Sequence, residues 1–316
     1  MTVKETAALL RQKDNILLIT HRRPDGDTVG SAAGLCIALR QMGKKACLLP
    51  NPDITEINAV YAEGLWAEVD FAPDFVVSVD VASRSMFYPA AECWLDRVDL
   101  AIDHHASHEN FGKESCVEAH RAACGEIVYA ICRELGEITP EVALPLYAAV
   151  ATDTGCFVYA NTTENTHRVA AELLAVGIDY FSVNKRHFRT KTRRRVALEA
   201  ALFGGMEYFH EGRGVFMAIP LSLMESIGAT ENDVDDISSL ATIVEGVDCG
   251  AMLRELQPGK WKLSLRTGAN GRVNATSACA LLGGGGHSMA AGATLEGDLQ
   301  LVKEKILAAV DAVKIC

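Results

Sequence analysis

Four stretches far apart in the chain each follow an apolar run with acids or imidazoles. NILLIT (15–20) leads into His21, two arginines, Pro24, Asp25, Gly26 and Asp27. FVVSV (75–79) stops on Asp80, and LAI (100–102) on Asp103, His104 and His105. LYAAVAT (146–152) stops on Asp153, Thr154 and Gly155. One such stop is an ordinary polar turn. Four of them imply a shared site, because the strands of an open parallel α/β sheet present their carboxyl ends along one edge, where ligands bind. Carboxylate oxygens with a minority of imidazole nitrogens suit Mn²⁺ or Mg²⁺ better than thiolate-preferring metals, with Zn²⁺, Fe²⁺ and Co²⁺ as further options. Four aspartates gathered in one cleft would repel one another, and some would rise in pKa unless cations neutralised them. Two divalent ions balance four carboxylates, and a metal pair about 3.5–4 Å apart serves phosphate-ester hydrolysis. The helix beginning near Thr28 is expected to aim its first N–H groups at the same place.

The elements that must position these groups alternate in type. NILLIT, KACLLP, FVVSVD (75–80) and VDLAIDHH (98–105) read as strands. DTVGSAAGLCIALRQMG, with Gly43 as its stop, CGEIVYAICRELG, EVALPLYAAVATDTG and TTENTHRVAAELLAVG, with a threonine N-cap, read as helices. The fold class is therefore α/β: an N-terminal parallel sheet over residues 1–183 with helices on both faces. NKRHFRTKTRRR (184–195) holds seven Lys or Arg in an acidic chain and reads as a basic, partly helical linker over 184–199. Its alternatives are a solvated charged face or an electropositive wall beside an anionic substrate. From residue 200 to 316, strand-like GRGVFMAIP, GVDCGAMLREL and WKLSLRT alternate with helices, giving a smaller mixed α/β domain across a cleft.

Inside that second domain LLGGGGHSMAAG lacks the Lys-Ser/Thr of a phosphate-binding P-loop. Its glycines imply close backbone approach to a ligand, with His287 at a helix entry ready to meet a phosphate. Arg266 in KLSLRT is a second phosphate contact, since its fork holds two oxygens.

The bulk properties limit the partners. With 316 residues, 49% of them apolar and 22% charged, the chain is long enough for two globular domains. A net charge of −11 argues against non-specific binding along long nucleic acid, yet leaves a small anionic substrate open. Ten cysteines without a C-x-x-C pair imply free thiols in a reducing cytoplasm. The N-terminus reads as an amphipathic helix without a secretory core, and no apolar stretch is long enough for a bilayer, so neither export nor a membrane partner is expected.

HRRPDGD, the Asp80 turn, the DHH at 103–105, the DTG at 153–155 and GGGGHSMAAG, in that order, resemble the DHH/DHHA1 phosphoesterases. Among these the chain is similar to the short nanoRNase (oligoribonuclease)/pAp phosphatase members, over about residues 15–295. The resemblance implies a 3′–5′ exonuclease of very short oligoribonucleotides that also converts 3′-phosphoadenosine 5′-phosphate (pAp) to AMP and phosphate. Some relatives act on pApA or cyclic-di-AMP. It further implies two divalent cations, Mn²⁺ foremost, with Mg²⁺ or Co²⁺ as options. By position His21, Asp25 and Asp80 would hold one cation, and Asp27, Asp80, His104 and Asp153 the other, with Asp80 bridging. His105 would face the scissile phosphate and Asp103 would support the histidines. Arg84, Arg266, Gly284, Gly285, Gly286 and His287 would bind substrate; LRT stands where LRS is more usual. The partners implied are a short oligonucleotide or nucleotide and a second copy in a homodimer. Competing readings are a manganese inorganic pyrophosphatase, whose second domain differs, a non-catalytic nucleotide-binding regulator, and a long-strand exonuclease of the RecJ type.

Overall fold

The structure is a computed structural model that describes residues 1–234, 237–268 and 272–313, apart from the side chain of His287. The chain forms two compact units, Met1–Thr190 and Lys191–Cys316.

In the first unit β1 (Ile16–Ile19), β2 (Ala46–Leu48), β3 (Phe75–Val79), β4 (Leu100–Asp103) and β5 (Glu114–Val117) form one sheet. Every pair is parallel, and the order is β2-β1-β3-β4-β5. The chain leaves β1 toward one edge and returns past it to β3, so the direction of winding reverses between these two strands. That reversal opens a crevice at their carboxyl ends, where the loop carrying His21 to Asp27 and the Asp80 turn emerge. The helices are α1 (Val3–Gln12), α2 (Gly26–Gln41), α3 (Glu56–Ala59), α4 (Pro89–Glu92), α5 (Cys124–Leu135), α6 (Pro140–Asp153), α7 (Glu164–Ala175) and α8 (Tyr180–Asn184).

Alternate strand residues face opposite ways, and both sets are buried, as in a sheet covered on two sides. Ile16, Leu18, Val77, Leu100 and Ile102 pack under the long helices α1, α2, α5 and α6. Leu17, Ile19 and Val76 pack instead with Phe87, Tyr88, Ala91 and Val98. The second face is thus roofed by α4 and short 3-10 turns rather than by full-length helices.

Helix α2 is buried along most of its length and meets α6 through glycine. A Cβ on Gly26 would lie 2.4 Å from Thr152 Oγ1, on Gly30 2.3 Å from the Pro145 carbonyl oxygen, and on Gly34 2.6 Å from Leu146 Cγ. Residues four apart share a helix face, so the three glycines let the two antiparallel backbones approach closely. The start of α2, with Asp25 and Asp27, therefore lies beside the end of α6, with Asp153.

The second unit comprises α9 (Arg193–Gly204), β6 (Glu207–Phe209), β7 (Gly214–Ile219), α10 (Leu221–Ile227), β8 (Cys249–Gln257), β9 (Lys260–Thr267), α11 (Ala275–Leu281), β10 (Gly285–His287), β11 (Ala290–Glu296) and α12 (Leu299–Val313). The sheet order is β10-β11-β9-β8-β7-β6, and β7 with β8 is the parallel pair. One face packs Leu253, Leu263 and Leu265 against Cys279 of α11 and Val302 and Ile306 of α12. The other packs Val215, Met217 and Met252 against Leu198 and Leu202 of α9.

One sequence expectation changes here. Residue 287 does not enter a helix: α11 ends before left-handed Gly283, and residues 285–287 form an edge strand paired with β11. The glycines answer to strand packing, since a Cβ on Gly284 would lie 2.0 Å from the Gly292 carbonyl oxygen and one on Gly286 2.6 Å from that of Ala290. The basic segment also resolves into pieces, a π-helical turn over Lys185–Arg189 and then α9. Lys191 and Arg195 pair with Glu199 at 2.6 and 2.7 Å, and Arg194 with Asp233 at 2.9 Å, so part of its charge is neutralised locally. Among the described residues the cysteines are free thiols, and no helix is long and apolar enough to cross a membrane.

Candidate metal centre

Asp80 sits at the middle of the crevice. It follows β3 in a left-handed conformation, φ 60°, with its N–H donating to the Ile102 carbonyl at 2.8 Å. That conformation is uncommon outside glycine but tolerated by aspartate, and it re-aims the carboxylate at the strand ends. Oδ2 lies 3.8 Å from His21 Nε2, and Oδ1 lies 3.5 Å from His104 Nε2. Each oxygen therefore addresses a different histidine. His21, Asp25 and Asp80 offer one set of ligand atoms within 4.8 Å of one another; Asp27, His104 and Asp153 offer a second.

Both histidines are oriented by backbone. His21 Nδ1 lies 2.8 Å from the Arg22 carbonyl and His104 Nδ1 3.2 Å from that of Arg121. A carbonyl only accepts, so each Nδ1 carries a proton and each ring turns its Nε2 toward the acids. His21 Nε2 faces Asp25 at 3.7 Å; His104 Nε2 faces Asp27 at 3.8 Å and Asp153 at 3.7 Å. These separations are too long for hydrogen bonds. They suit donors that share a cation bound at about 2.0–2.2 Å from each.

Asp27 is 1% exposed and its carboxylate is held on both oxygens. Ser31 Oγ donates to Oδ1 at 3.0 Å, the Gly125 N–H to Oδ1 at 2.9 Å, and the Cys124 N–H to Oδ2 at 2.7 Å. Helix α5 has no side-chain cap of its own, so Asp27 caps it from a distant part of the chain. Asp25 in turn caps α2, its Oδ1 accepting from the N–H groups of Asp27 and Thr28. The α2 amides expected to meet an outside anion are thus already engaged by Asp25.

Asp103 is fully buried and does not belong to either set. Its Oδ1 accepts from His105 Nδ1 at 2.7 Å and from the His104 N–H at 2.8 Å, and its Oδ2 from His108 Nδ1 at 2.7 Å. Asp103 takes the His105 Nδ1 proton, and Asp80, His104 and His105 offer a third set of ligand atoms, with His105 Nδ1 3.6 Å from Asp80 Oδ1.

The electrostatics call for positive charge. Burial and then the carboxylates of Asp27, Asp25, Asp103 and Asp153 push Asp80 well above the usual range. Burial raises Asp27 to about 6 despite the His104 imidazole, and burial with the charges of Asp27 and Asp25 raises Asp153 to about 8. Desolvation acts upward on Asp25 too, but His21 and the two amides outweigh it and bring it to about 2. Burial likewise raises Asp103, while His105 and His108 more than compensate and hold it well below the usual range. Asp80 Oδ1 is buried with no hydrogen-bond partner. An orphaned carboxylate oxygen is costly, and a divalent cation satisfies it. The residues present fit the group.

Arg84 directs its guanidinium to Asp96 in an exposed pair at 2.9 Å. In the second unit Ala290 pairs with residue 287 on one side and with Arg266 on the other, so these two positions share a row across three strands. The His287 side chain lies outside the described residues. Sequence reasoning missed Ser31, His108 and Arg121. Only His108 left a signal, a third imidazole three residues after His105; Arg121 acts through its carbonyl, which any residue provides.

An open parallel sheet that gathers four aspartates and two histidines at its reversal point, followed by a mixed-sheet unit, defines the DHH/DHHA1 phosphoesterases, and the chain belongs to that family. Residues 15–178 match the DHH family N-terminal domain and residues 222–314 the DHHA1 domain. The chain is 35% identical over 300 residues to the bifunctional oligoribonuclease and PAP phosphatase NrnA of Thermus thermophilus, covering 93% of this chain and 89% of that protein. It is 24% identical to the bifunctional oligoribonuclease and PAP phosphatase NrnA of Bacillus subtilis, covering 89% and 90%. An exopolyphosphatase-related protein from Bacteroides fragilis shares the fold at a TM-score of 0.88 with 20% identity, covering 98% of this chain and 95% of that one.

Proposed function

We propose that the protein hydrolyses short oligoribonucleotides from their 3′ ends and removes the 3′-phosphate of pAp, using two divalent cations with Mn²⁺ foremost. The observation that carries this reading is Asp80, a buried carboxylate with an unpartnered oxygen that completes the donor set of His21 and Asp25 and faces His104 of the other set. His21, Asp25 and Asp80 would hold one cation; Asp27, His104 and Asp153, with Asp80 shared, would hold the other. Bound cations supply the charge that stabilises a phosphoryl group under displacement and lower the pKa of water. The chain's own contribution is positional. Asp103 holds the proton of His105 on Nδ1, which leaves Nε2 on the far side of a ring 28% exposed, suited to a phosphoryl oxygen. Arg266 and residues 284–287 of the second unit are assigned to the nucleotide from the family resemblance, since a guanidinium matches its phosphates. The relatives named for both activities cover most of the chain, which supports both substrates for this protein.

The test is a panel of pAp, pApA, cyclic-di-AMP, RNA dimers to pentamers and inorganic pyrophosphate, each with Mn²⁺, Mg²⁺ and Co²⁺. Turnover of pAp and short RNA is expected, lost in Asp80→Ala. Pyrophosphate as the sole substrate would make the protein a pyrophosphatase, and nucleotide binding without hydrolysis a regulator.

A further inference from the structure

Two of the three residues in the second donor set owe their placement to one segment. The Arg121 carbonyl orients His104, and the N–H groups of Cys124 and Gly125 hold Asp27. The third, Asp153, ends α6 on another part of the chain. One exposed side chain joins them: Asn161 Nδ2 donates to the Ala122 carbonyl and to the Asp153 carbonyl, each at 3.0 Å. Four and five residues on, Asn165 Nδ2 and Thr166 Oγ1 donate to the buried Glu126 carboxylate at 2.7 and 2.6 Å, which ties down the first turn of α5. The segment 161–166 is thus bonded at three points to the segment 122–126. His21 and Asp25, in contrast, are positioned by the Arg22 carbonyl and by the α2 amides.

We propose that Asn161 is a strap, a positioning residue for one of the two cations, the one held by Asp27, His104 and Asp153, and that it leaves the other untouched. The inference rests on the metal-centre reading above. Its physical basis is that an amide offers two N–H donors in a fixed fork, so Asn161 sets the spacing between the Asp153 backbone and the loop that carries the Arg121 carbonyl. Outer partners of this kind typically change metal affinity by about 10- to 100-fold when removed. Asn161 lies at the surface, so its replacement leaves the core intact.

Calorimetric titration of the metal-free full chain with Mn²⁺ reads the effect directly. Wild type is expected to show two sites; Asn161→Ala should weaken one by roughly 10- to 100-fold and leave the other within about twofold. Asn161→Asp, which sets a carboxylate against two carbonyl oxygens, should weaken the same site at least as much. The metal-free melting temperature should stay within about 2 °C of wild type, as for an ordinary surface change. With pAp, kcat at limiting Mn²⁺ should fall at unchanged KM and recover at saturating Mn²⁺. Two wild-type sites that Asn161→Ala leaves unaltered, or weakens equally, would remove the strap alone. A wild-type isotherm with a single site would remove the two-cation reading and the strap with it. Normal two-site binding with the expected loss in the variant, but no hydrolysis of any nucleotide, would remove the proposed reaction and leave the strap standing.

Discussion

Replacing Gly30 with alanine tests whether the contact between α2 and α6 sets the metal centre. In an isolated helix the change is favourable by about 0.5–1 kcal/mol, because alanine loses less backbone freedom than glycine. Here the added Cβ would lie 2.3 Å from the Pro145 carbonyl oxygen and 3.0 Å from the backbone nitrogen and Cβ of Ala149. A carbon rests about 3.3 Å or more from a carbonyl oxygen. The helices must separate by about 1 Å, an overpacking cost of roughly 1–3 kcal/mol. The net loss of up to about 2.5 kcal/mol, centred near 1 kcal/mol, would lower the melting temperature by roughly 2–4 °C at that centre for a unit of this size. The separation also moves Asp27 away from Asp153, and a misplacement of about 1 Å costs on the order of 100-fold in rate. Thermal melting with and without Mn²⁺ and phosphate release from pAp read the two effects. Gly204→Ala is the control: open space surrounds that helical position, so the melting temperature should hold or rise slightly. A Gly30→Ala protein as stable as wild type with full turnover would refute the close-approach argument.

Further outcomes follow from the buried acids. In metal-free protein Asp80→Asn removes a buried acid whose ionised form burial and the neighbouring carboxylates disfavour, so its melting temperature should rise near neutral pH while the stabilisation gained from Mn²⁺ disappears; a fall in the metal-free value would count against that penalty. Asp27 and Asp153 hold their protons to about pH 6 and 8 in the folded metal-free protein, against 3.8 for an ordinary aspartate. The folded state then binds more protons than the unfolded one, so stability in EDTA should decline as pH rises from 4 toward 8, and Mn²⁺ should flatten the decline. A melting temperature in EDTA that climbs over that range would contradict the sign. Asp103→Asn should lower kcat by roughly 10²–10⁴-fold, because an amide no longer fixes the His105 proton on Nδ1, while Mn²⁺ binding persists in calorimetry.

The sequence alone was enough to mark His21, Asp25, Asp27, Asp80, His104 and Asp153 as candidates. Strand ends are written locally, as β-branched and apolar residues giving way to acids, and a parallel sheet puts those ends on one edge whatever the details. Periodicity and capping residues likewise marked the helices that became α2, α5, α6 and α7. What stayed illegible depends on pairs of residues far apart in the chain. The capping of α5 by Asp27 joins positions 97 and 98 residues apart. The glycine face of α2 has meaning only once α6 lies against it, since Gly26, Gly30 and Gly34 alone read as poor helix formers. Strands β5 and β10 escaped notice because each is short and takes its hydrogen bonds from a neighbour that no local pattern names. Residue type decided which chemistry was available, whereas the packing of helices and loops decided which atoms face one another. Ligand spacing belongs to that second level, because tenths of an ångström are set by backbone contacts between segments and not by the order of residues within one.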